Sequence, residues 1–300
     1  MKNGITHLSK GFDISELSKE QLDKVFDVYV CPSFSCNIKC PHCTLRNIPT
    51  PINEEKLFKS IEVFNTSNSK NICFNLFGGE PLLNNDELLE KLYKSFKKRY
   101  IVSTNLLNYR NTEVVNKLLT DAEWIDTSWN PLRFKDNEYN LWLKNIEIVK
   151  SLGIKINFMI TLTDDFIDNY TPKQFLEMMR QWDVYSLDLE YYIGDDTQDI
   201  NKIDDFLVEL YKIWDIPTIF NNVENIKGSI ISKSKYKDCS NTYTIRPNGL
   251  INKYCPYYEE EMINPECFIC EYYNYCNGGC PLQYKCTLPK KLYKCIKENL

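Results

Sequence analysis

The cysteines constrain this chain more than any other feature of its sequence. Twelve of the 13 cysteines fall into two clusters, four between Cys31 and Cys43 and eight between Cys239 and Cys295. Structural disulfides are disfavoured in a reducing cytosol, and an odd total in a chain without an export signal fits them poorly. Clustered thiolates in such a chain more often hold metal. We therefore expect two metal-binding regions.

The rest of the composition is that of an ordinary globular protein. Of 300 residues, 43% are apolar and 26% are charged, and the formal net charge is -5. Such a chain has no overall positive field to hold a polyanion, so nucleic acid is not an expected partner. No apolar run reaches the length of a membrane span, and the first residues lack a signal-peptide stretch. We expect a cytoplasmic protein with no membrane partner.

Apolar runs of strand length alternate with amphipathic segments over the first two thirds of the chain. The pattern predicts six strands, at Asp27–Cys31, Asn71–Phe77, Tyr100–Thr104, Trp124–Ser128, Ile154–Thr163 and Tyr185–Tyr191. The helices predicted between them are Glu54–Asn65, Asp86–Lys97, Thr112–Leu119, Asn140–Leu152 and Pro172–Trp182. Strict alternation requires right-handed crossovers and a parallel sheet. A complete eight-stranded barrel needs ~250 residues, so we expect an α/β fold with a partial (β/α)6 TIM-like barrel.

The predicted organisation has four parts. An N-terminal extension covers residues 1–25, the barrel covers 26–192, a connector covers 193–236, and a small cysteine-rich domain covers 237–300. Hydrophobic periodicity weakens in the connector, where the pattern still predicts a helix near Asp204–Trp214.

The first cysteine cluster directly follows the first predicted strand. Cys36, Cys40 and Cys43 lie in a loop that a barrel places at its C-terminal, reactive face. Three thiolates within one short loop can bind a single metal centre. On a four-iron cluster, three protein ligands leave one iron open to an added ligand, by the same logic as a catalytic zinc. The alternatives at this point are a zinc site or buried structural thiols.

A second motif, Gly78-Gly79-Glu80-Pro81, ends the second predicted strand. Two residues without a Cβ let the backbone approach a ligand closely, and Glu80 offers an acceptor for an ammonium group. Alone, the motif is also typical of a tight strand-to-helix turn. Its position one βα unit after the cysteine triplet favours a shared site.

In these two motifs the sequence resembles the radical S-adenosylmethionine enzymes, whose hallmark is Cys-x3-Cys-x-aromatic-Cys followed one strand later by a Gly-Gly-Glu-Pro-like turn. The resemblance implies that Cys36, Cys40 and Cys43 are the catalytic residues and hold a four-iron four-sulfur cluster. The open iron would be chelated by the amino and carboxylate groups of S-adenosylmethionine. The cofactor-binding residues that the resemblance implies are His42, Gly78, Gly79, Glu80, Pro81, Asn105 and Ser128.

The second cysteine cluster resembles the SPASM extension of peptide-modifying radical enzymes, which binds two auxiliary iron–sulfur clusters. The resemblance implies an outer cluster on Cys267, Cys270, Cys276 and Cys295, with Cys286 as the alternative to Cys295. It implies an inner cluster on Cys239, Cys255 and Cys280, with a fourth position that is open unless Cys286 or Asp238 closes it. The expected cofactors are therefore three [4Fe-4S] clusters and S-adenosylmethionine. On spacing alone, a zinc ribbon is the alternative for this region.

The resemblance implies reductive cleavage of S-adenosylmethionine to a 5'-deoxyadenosyl radical, which takes a hydrogen atom from a substrate. A ribosomally made peptide is the first expectation, modified by a thioether, a carbon–carbon crosslink or oxidation. The alternatives are an oxidoreductase or rearranging enzyme for a small molecule such as an aminosugar, and a non-catalytic iron–sulfur or zinc-binding electron-transfer protein. A flavodoxin-like or ferredoxin-like reductant is expected by analogy. The 26 residues before Asp27 are too few for a leader-binding winged-helix domain, so a leader-bearing peptide would need a separate leader-binding protein.

Overall fold

The computed structural model describes residues 11–40, 43, 50–130, 134–135, 137–191, 198–232, 241–253, 267, 269–272 and 289–300. Its strands are β1 (Asp27–Val30), β2 (Cys73–Leu76), β3 (Arg99–Ser103), β4 (Ile125–Thr127), β5 (Ile156–Leu162), β6 (Ser186–Tyr191), β7 (Ile219–Phe220), β8 (Thr242–Ile245) and β9 (Ile251–Lys253). Its helices are α1 (Lys19–Asp23), α2 (Glu54–Asn65), α3 (Asp86–Ser95), α4 (Glu113–Thr120), α5 (Glu138–Ser151), α6 (Asp164–Asn169), α7 (Pro172–Trp182), α8 (Ile200–Ile213), α9 (Asn221–Ser232) and α10 (Lys290–Glu298).

Internal contacts divide the chain into two units. The first comprises the described residues within 1–127, 132–156 and 239–259, and the second comprises those within 128–131, 157–238 and 260–300. The first unit therefore contains β1–β4, β8 and β9 with helices α1–α5. The second contains nearly all of β5, together with β6, β7 and helices α6–α10.

The sheet of the first unit has the strand order β4-β3-β2-β1-β8-β9. Strands β1 to β4 and β8 run parallel, and β9 returns antiparallel to β8. Within β1, Val28 and Val30 are fully buried whereas Asp27 and Tyr29 are partly exposed. This period of two is what a strand between two different environments produces.

Capping residues explain where the helices of the first unit begin. Asn53, Asn85 and Thr112 each accept a hydrogen bond from the main-chain N–H three residues later, which satisfies a donor that the first turn leaves unpaired. The buried side chains of α2 are then spaced at three and four residues, as in Leu57, Ile61 and Phe64. That spacing produces a single apolar stripe on the helix.

The hairpin between β8 and β9 is held against α2 at a glycine. Gly249 has φ +78, its N–H donates to the Arg246 carbonyl, and its own carbonyl accepts from the Ser60 hydroxyl at 3.0 Å. A Cβ at this position would lie 2.3 Å from the Lys56 Cβ. Both the positive φ and the close approach therefore require glycine here.

In the second unit, β5, β6 and β7 form a parallel sheet in that order. Thr171 opens α7 with a capping box, and Asp183 ends it in the left-handed conformation with φ +48. Aromatic side chains dominate the core of this unit, with Phe166 packed edge-on against Phe175 and Phe206.

The six predicted strands and five predicted helices between them are confirmed in position, with ends that move by at most two residues. The predicted helix near residue 204 is confirmed as α8, which begins four residues earlier. Sequence reasoning missed α6, α9, α10 and the three short strands β7 to β9. Strands β7 to β9 and helix α6 have at most six residues each, too few for a periodic signal, whereas the apolar spacing of α9 and α10 was overlooked. In the part of the chain that the structure describes, no helix has the length and apolar character needed to cross a bilayer. The domain boundaries stay a prediction.

Candidate functional site

The loop after β1 carries the three cysteines of the first predicted cluster site, Cys36, Cys40 and Cys43. Cys36 is exposed, Cys40 is 9% exposed and Cys43 is half-buried. The Cys43 N–H donates to the Cys40 carbonyl at 3.2 Å, and Cys43 packs against a small core formed by Cys31 and Phe34. The loop therefore has an anchored side next to β1 and an exposed side at Cys36.

The Gly-Gly-Glu-Pro turn after β2 supports this loop through its main chain. The Gly79 N–H donates to the Ser33 carbonyl at 2.9 Å, and the Glu80 N–H donates to the Ser35 carbonyl at 2.8 Å. A Cβ on Gly78 would lie 2.4 Å from the Ser33 oxygen, and a Cβ on Gly79 would lie 1.9 Å from the Ser35 oxygen. Neither distance is compatible with a side chain. The two glycines therefore let the turn approach the cysteine loop, and their close approach to a ligand stays a prediction.

Glu80 is 1% exposed and accepts hydrogen bonds through both carboxylate oxygens. Oε1 accepts from the Leu82 N–H at 2.9 Å and from the Thr104 hydroxyl at 2.6 Å, and Oε2 accepts from the Asn105 N–H at 2.6 Å. A buried carboxylate is tolerated when it is hydrogen-bonded in this way. Glu80 thus joins the turn after β2 to the residues that follow β3. Its predicted contact with an ammonium group stays a prediction.

Asn105 connects the end of β3 to the cysteine loop. It is 3% exposed, and its Nδ2 donates to Asn37 Oδ1 at 2.8 Å and lies 3.8 Å from Cys36 Sγ. Its Oδ1 accepts from the Leu107 N–H at 2.9 Å. The neighbouring Leu106 has φ +60, a conformation that costs a non-glycine residue about 1–2 kcal/mol. The structure therefore brings Asn105 into the same site as Cys36 and Glu80.

A second group of polar residues lies on the same sheet and was not predicted. The Ser103 hydroxyl is 3.0 Å from Asn75 Oδ1 and 3.3 Å from Asp126 Oδ2, and the Trp124 indole N–H donates to Asp126 Oδ1 at 3.0 Å. Asn75, Ser103 and Asp126 belong to three adjacent strands, and Trp124 directly precedes the third. A polar residue within an otherwise apolar strand was the available signal, because a buried polar side chain needs partners on a neighbouring strand.

At the opposite end of the sheet, Asp27, Cys73 and Arg99 occupy matching positions on three strands. Burial raises the pKa of the Asp27 carboxyl to about 6, an effect that the Arg99 guanidinium partly offsets. Burial also raises the pKa of the Cys73 thiol to about 12. Cys73 is 4% exposed within β2 and is therefore a core side chain.

In the second unit, Ser128 follows β4 and is partly exposed. A polar cluster that sequence reasoning missed joins the beginnings of β5 and β6 to α9. Asn157 Nδ2 donates to Asp188 Oδ2 at 3.1 Å, the Ser186 hydroxyl donates to Asn157 Oδ1 at 2.7 Å, and Asn221 Nδ2 donates to Asp188 Oδ2 at 2.8 Å.

Three of the predicted tail ligands are described. Cys267 is 8% exposed, and Cys270 and Cys295 are half-buried. Tyr272 packs edge-on against Tyr293 of α10 with ring centroids 5.2 Å apart. This contact joins the segment that follows Cys270 to the helix that carries Cys295. His42, Cys239, Cys255, Cys276, Cys280 and Cys286 lie outside the described residues.

The helix that carries Cys295 is anchored by a buried aspartate of α8. Asp204 is 4% exposed, and its carboxylate accepts from the main-chain N–H groups of Lys291 at 2.6 Å and Leu292 at 3.0 Å. Pro289, the residue before α10, provides no side-chain cap of its own. Burial raises the pKa of the Asp204 carboxyl, an effect that these hydrogen bonds oppose.

The donor set of the first loop suits an iron–sulfur cluster, since three thiols of one short segment are the soft ligands that iron–sulfur sites use. Among the described residues, no three cysteine, histidine or acidic side chains are already gathered in a metal-binding arrangement. The structure thus forms the main-chain support of the cysteine loop, but it does not place the three thiols in a metal-binding arrangement.

Comparisons with known proteins agree with this arrangement. Residues 9–126 match the family described as a 4Fe-4S single cluster domain. A cysteine-type anaerobic sulfatase-maturating enzyme from Clostridium perfringens is 32% identical over 106 residues, which are 32% of this chain and 26% of that enzyme. The match thus spans about a quarter of the relative's length.

Solved structures resemble the chain over most of its length. Native anSMEcpe with bound AdoMet and Cp18Cys peptide has a TM-score of 0.72 at 17% identity, covering 91% of this chain and 96% of that one. Streptococcus suis SuiB bound to precursor peptide SuiA has a TM-score of 0.58 at 13% identity, covering 86% and 72%. The chain has the fold of these two proteins. The predicted resemblance and the predicted α/β TIM-like fold class are thereby confirmed.

Proposed function

We propose that this protein is a radical S-adenosylmethionine enzyme that modifies a ribosomally made peptide. The proposal rests on one observation, the close main-chain contact between the cysteine loop and the Gly-Gly-Glu-Pro turn. At Gly79 that contact leaves no space for a Cβ, so the two motifs behave as one structural element. The match of residues 9–126 to a 4Fe-4S single cluster domain supports the same conclusion.

In this proposal Cys36, Cys40 and Cys43 hold a [4Fe-4S] cluster and leave one iron open for S-adenosylmethionine. Once reduced, a cluster of this kind would supply the electron that cleaves S-adenosylmethionine to methionine and a 5'-deoxyadenosyl radical. That radical would remove a hydrogen atom from the substrate. The protein positions the reactants and excludes side reactions. Gly78 and Gly79 keep the loop against the turn, and Glu80 fixes Asn105 beside Cys36.

The remaining cofactor contacts are proposed from the resemblance. His42 would lie against the adenine, and Pro81 and Ser128 would complete the cofactor site. Two auxiliary [4Fe-4S] clusters would be held by the tail, the outer one by Cys267, Cys270, Cys276 and Cys295 and the inner one by Cys239, Cys255 and Cys280. The contact of Tyr272 with Tyr293 supports the outer set, because it joins the segments that carry Cys270 and Cys295.

A peptide substrate is supported by two of the similar structures, anSMEcpe with Cp18Cys peptide and SuiB with precursor peptide SuiA. The modification proposed is a thioether, a carbon–carbon crosslink or an oxidation, each of which removes a pair of hydrogens from the peptide. A flavodoxin-like or ferredoxin-like protein would supply electrons. We place the reaction in the cytoplasm, where thiolates stay reduced.

Release of 5'-deoxyadenosine tests the enzyme class. Anaerobically reconstituted and reduced protein should release it from S-adenosylmethionine, and Cys36→Ala, Cys40→Ala and Cys43→Ala should each abolish the release. Cys73→Ala is the matched control, because that buried thiol belongs to the core and its loss should leave the release intact. No release by the wild-type protein, or undiminished release by the triplet variants, would refute the proposal.

The substrate is tested separately by mass spectrometry. A short peptide encoded beside this gene is co-expressed with the protein under anaerobic conditions and then isolated. The expected result is a peptide lighter by one pair of hydrogens, which is absent when the co-expressed protein carries Cys36→Ala. An unmodified peptide together with active release of 5'-deoxyadenosine would contradict this peptide as the substrate and leave the enzyme class standing.

A further inference from the structure

The side chain of Asn105 has a fixed orientation toward the cysteine loop. Its Oδ1 accepts from the Leu107 N–H, so its Nδ2 must face the other way. On that side Nδ2 is 2.8 Å from Asn37 Oδ1 and 3.8 Å from Cys36 Sγ. An amide that is held at its oxygen in this way can present only N–H donors to the sulfur.

The main chain of Asn105 is fixed as firmly as its side chain. Its N–H donates to Glu80 Oε2 at 2.6 Å, and the next N–H, that of Leu106, donates to the Thr104 hydroxyl at 3.0 Å. Leu106 is fully buried despite its positive φ, and its carbonyl accepts from the Asn145 side chain at 2.7 Å. Strained backbone persists where the surroundings determine it from several sides, and such positions cluster at functional sites.

We propose that Asn105 is a positioning residue that tunes the redox potential of the cluster held by Cys36. This inference rests on the proposed function, in which Cys36 is a cluster ligand. A hydrogen bond from an uncharged donor to a ligand sulfur stabilises the more negative, reduced cluster, because that state places more charge on the sulfur. Asn105 therefore raises the midpoint potential and makes the one-electron reduction easier.

The electron count of this step is simple. One electron passes from an external low-potential reductant to the oxidised cluster, and no covalent bond forms or breaks in the protein. Asn105 neither gains nor loses a proton. It changes only the ratio of reduced to oxidised cluster at a given reductant potential.

The experiment is a redox titration of the full-length, reconstituted protein with dithionite as the reductant, followed by electron paramagnetic resonance. Only the signal that changes when S-adenosylmethionine is added is analysed, since a cluster with an open iron responds to that ligand. Asn105→Ala removes the donor. Asn105→Asp keeps an oxygen for the Leu107 N–H and replaces the donor with a second acceptor.

We expect Asn105→Ala to lower the ratio of reduced to oxidised cluster about tenfold at a fixed solution potential. For one electron this equals a midpoint potential that is lower by about 59 mV. Asn105→Asp should lower it further, because it adds negative charge beside the sulfur. Asn108→Ala is the matched control, an asparagine of the same loop that is partly exposed. The midpoint potential of the cluster in Asn108→Ala should equal that in the wild-type protein.

Three results would overturn the inference. The first is an unchanged potential in both Asn105 variants, and the second is an equal shift in Asn108→Ala. The third is loss of the responsive signal from both Asn105 variants, which would assign the side chain to cluster assembly and not to tuning. A wild-type protein without any signal that responds to S-adenosylmethionine would instead refute the proposed function, so the two failures are distinguishable.

Discussion

The two cysteine regions of this protein are stabilised in different ways. The loop with Cys36 to Cys43 is supported by main-chain hydrogen bonds to the turn after β2 and by the buried network of Glu80 and Asn105. The described tail cysteines lie on a short segment and on one C-terminal helix, which is held by the Asp204 cap, by the buried side chains of Leu292 and Ile296, and by a pair of tyrosine rings. The first region is built on the ends of strands, whereas the second is attached through helix packing.

This difference indicates how each region would respond to change. Main-chain contacts at strand ends cannot adjust without moving the sheet, so a small alteration there should be costly. A single C-terminal helix that is attached by side-chain packing and a cap can open locally while the rest of the fold stays intact. Three substitutions test the contrast, in order of expected effect.

The largest effect is expected for Gly79→Ala. The new Cβ would lie 1.9 Å from the Ser35 oxygen, so the loop and the turn must separate. We expect the free energy of unfolding to fall by about 3 kcal/mol or more, measured by urea denaturation, together with a lower iron content after reconstitution.

Gly228→Ala is the matched control for that substitution. Gly228 lies within α9 with open space around it, and alanine there should stabilise the protein by about 0.5–1 kcal/mol. If Gly79→Ala were tolerated as well as Gly228→Ala, the close contact between loop and turn would not exist in solution.

A smaller loss is expected for Glu80→Gln. Both carboxylate oxygens accept a main-chain N–H, one from Leu82 and one from Asn105. A glutamine must therefore point its NH₂ group at one of these donors, whichever way it is turned. We expect the free energy of unfolding to fall by about 1–3 kcal/mol. The exposed Glu87→Gln serves as the control, and equal effects of both substitutions would contradict the buried network.

The smallest loss is expected in the tail, for Asp204→Ala. Removing this cap leaves the N–H groups of Lys291 and Leu292 unpaired and should cost about 1–2 kcal/mol. Because the effect is local to α10, the alkylation rate of Cys295 in the native, metal-free protein should rise about tenfold. Mass spectrometry of the Cys295 peptide measures that rate.

Asp205→Ala removes only an exposed ion pair with Lys291 and should change the same rate little. An unchanged alkylation rate in Asp204→Ala would show that the packing of α10 holds it closed without its cap. The contrast between the two cysteine regions would then be wrong.

Much of the fold was predictable because it depends on patterns that are local in sequence. Strands β1 to β6 and the helices α2 to α5 and α7 follow from apolar periodicity and from caps such as Asn53 and Thr112. The placement of the β8–β9 hairpin beside β1 was not predictable, because β8 and β1 are more than 200 residues apart in the chain. No local pattern specifies such a partner.

The sequence by itself determined the donor chemistry. It sets the number and spacing of Cys36, Cys40 and Cys43 and the position of the two glycines after β2. Only the tertiary structure decided that those glycines contact the cysteine loop, that Glu80 is buried between two strand ends, and that Asn105 faces Cys36. The physical reason is that hydrogen bonds between segments about 70 residues apart depend on which strands pair, a property of the whole sheet.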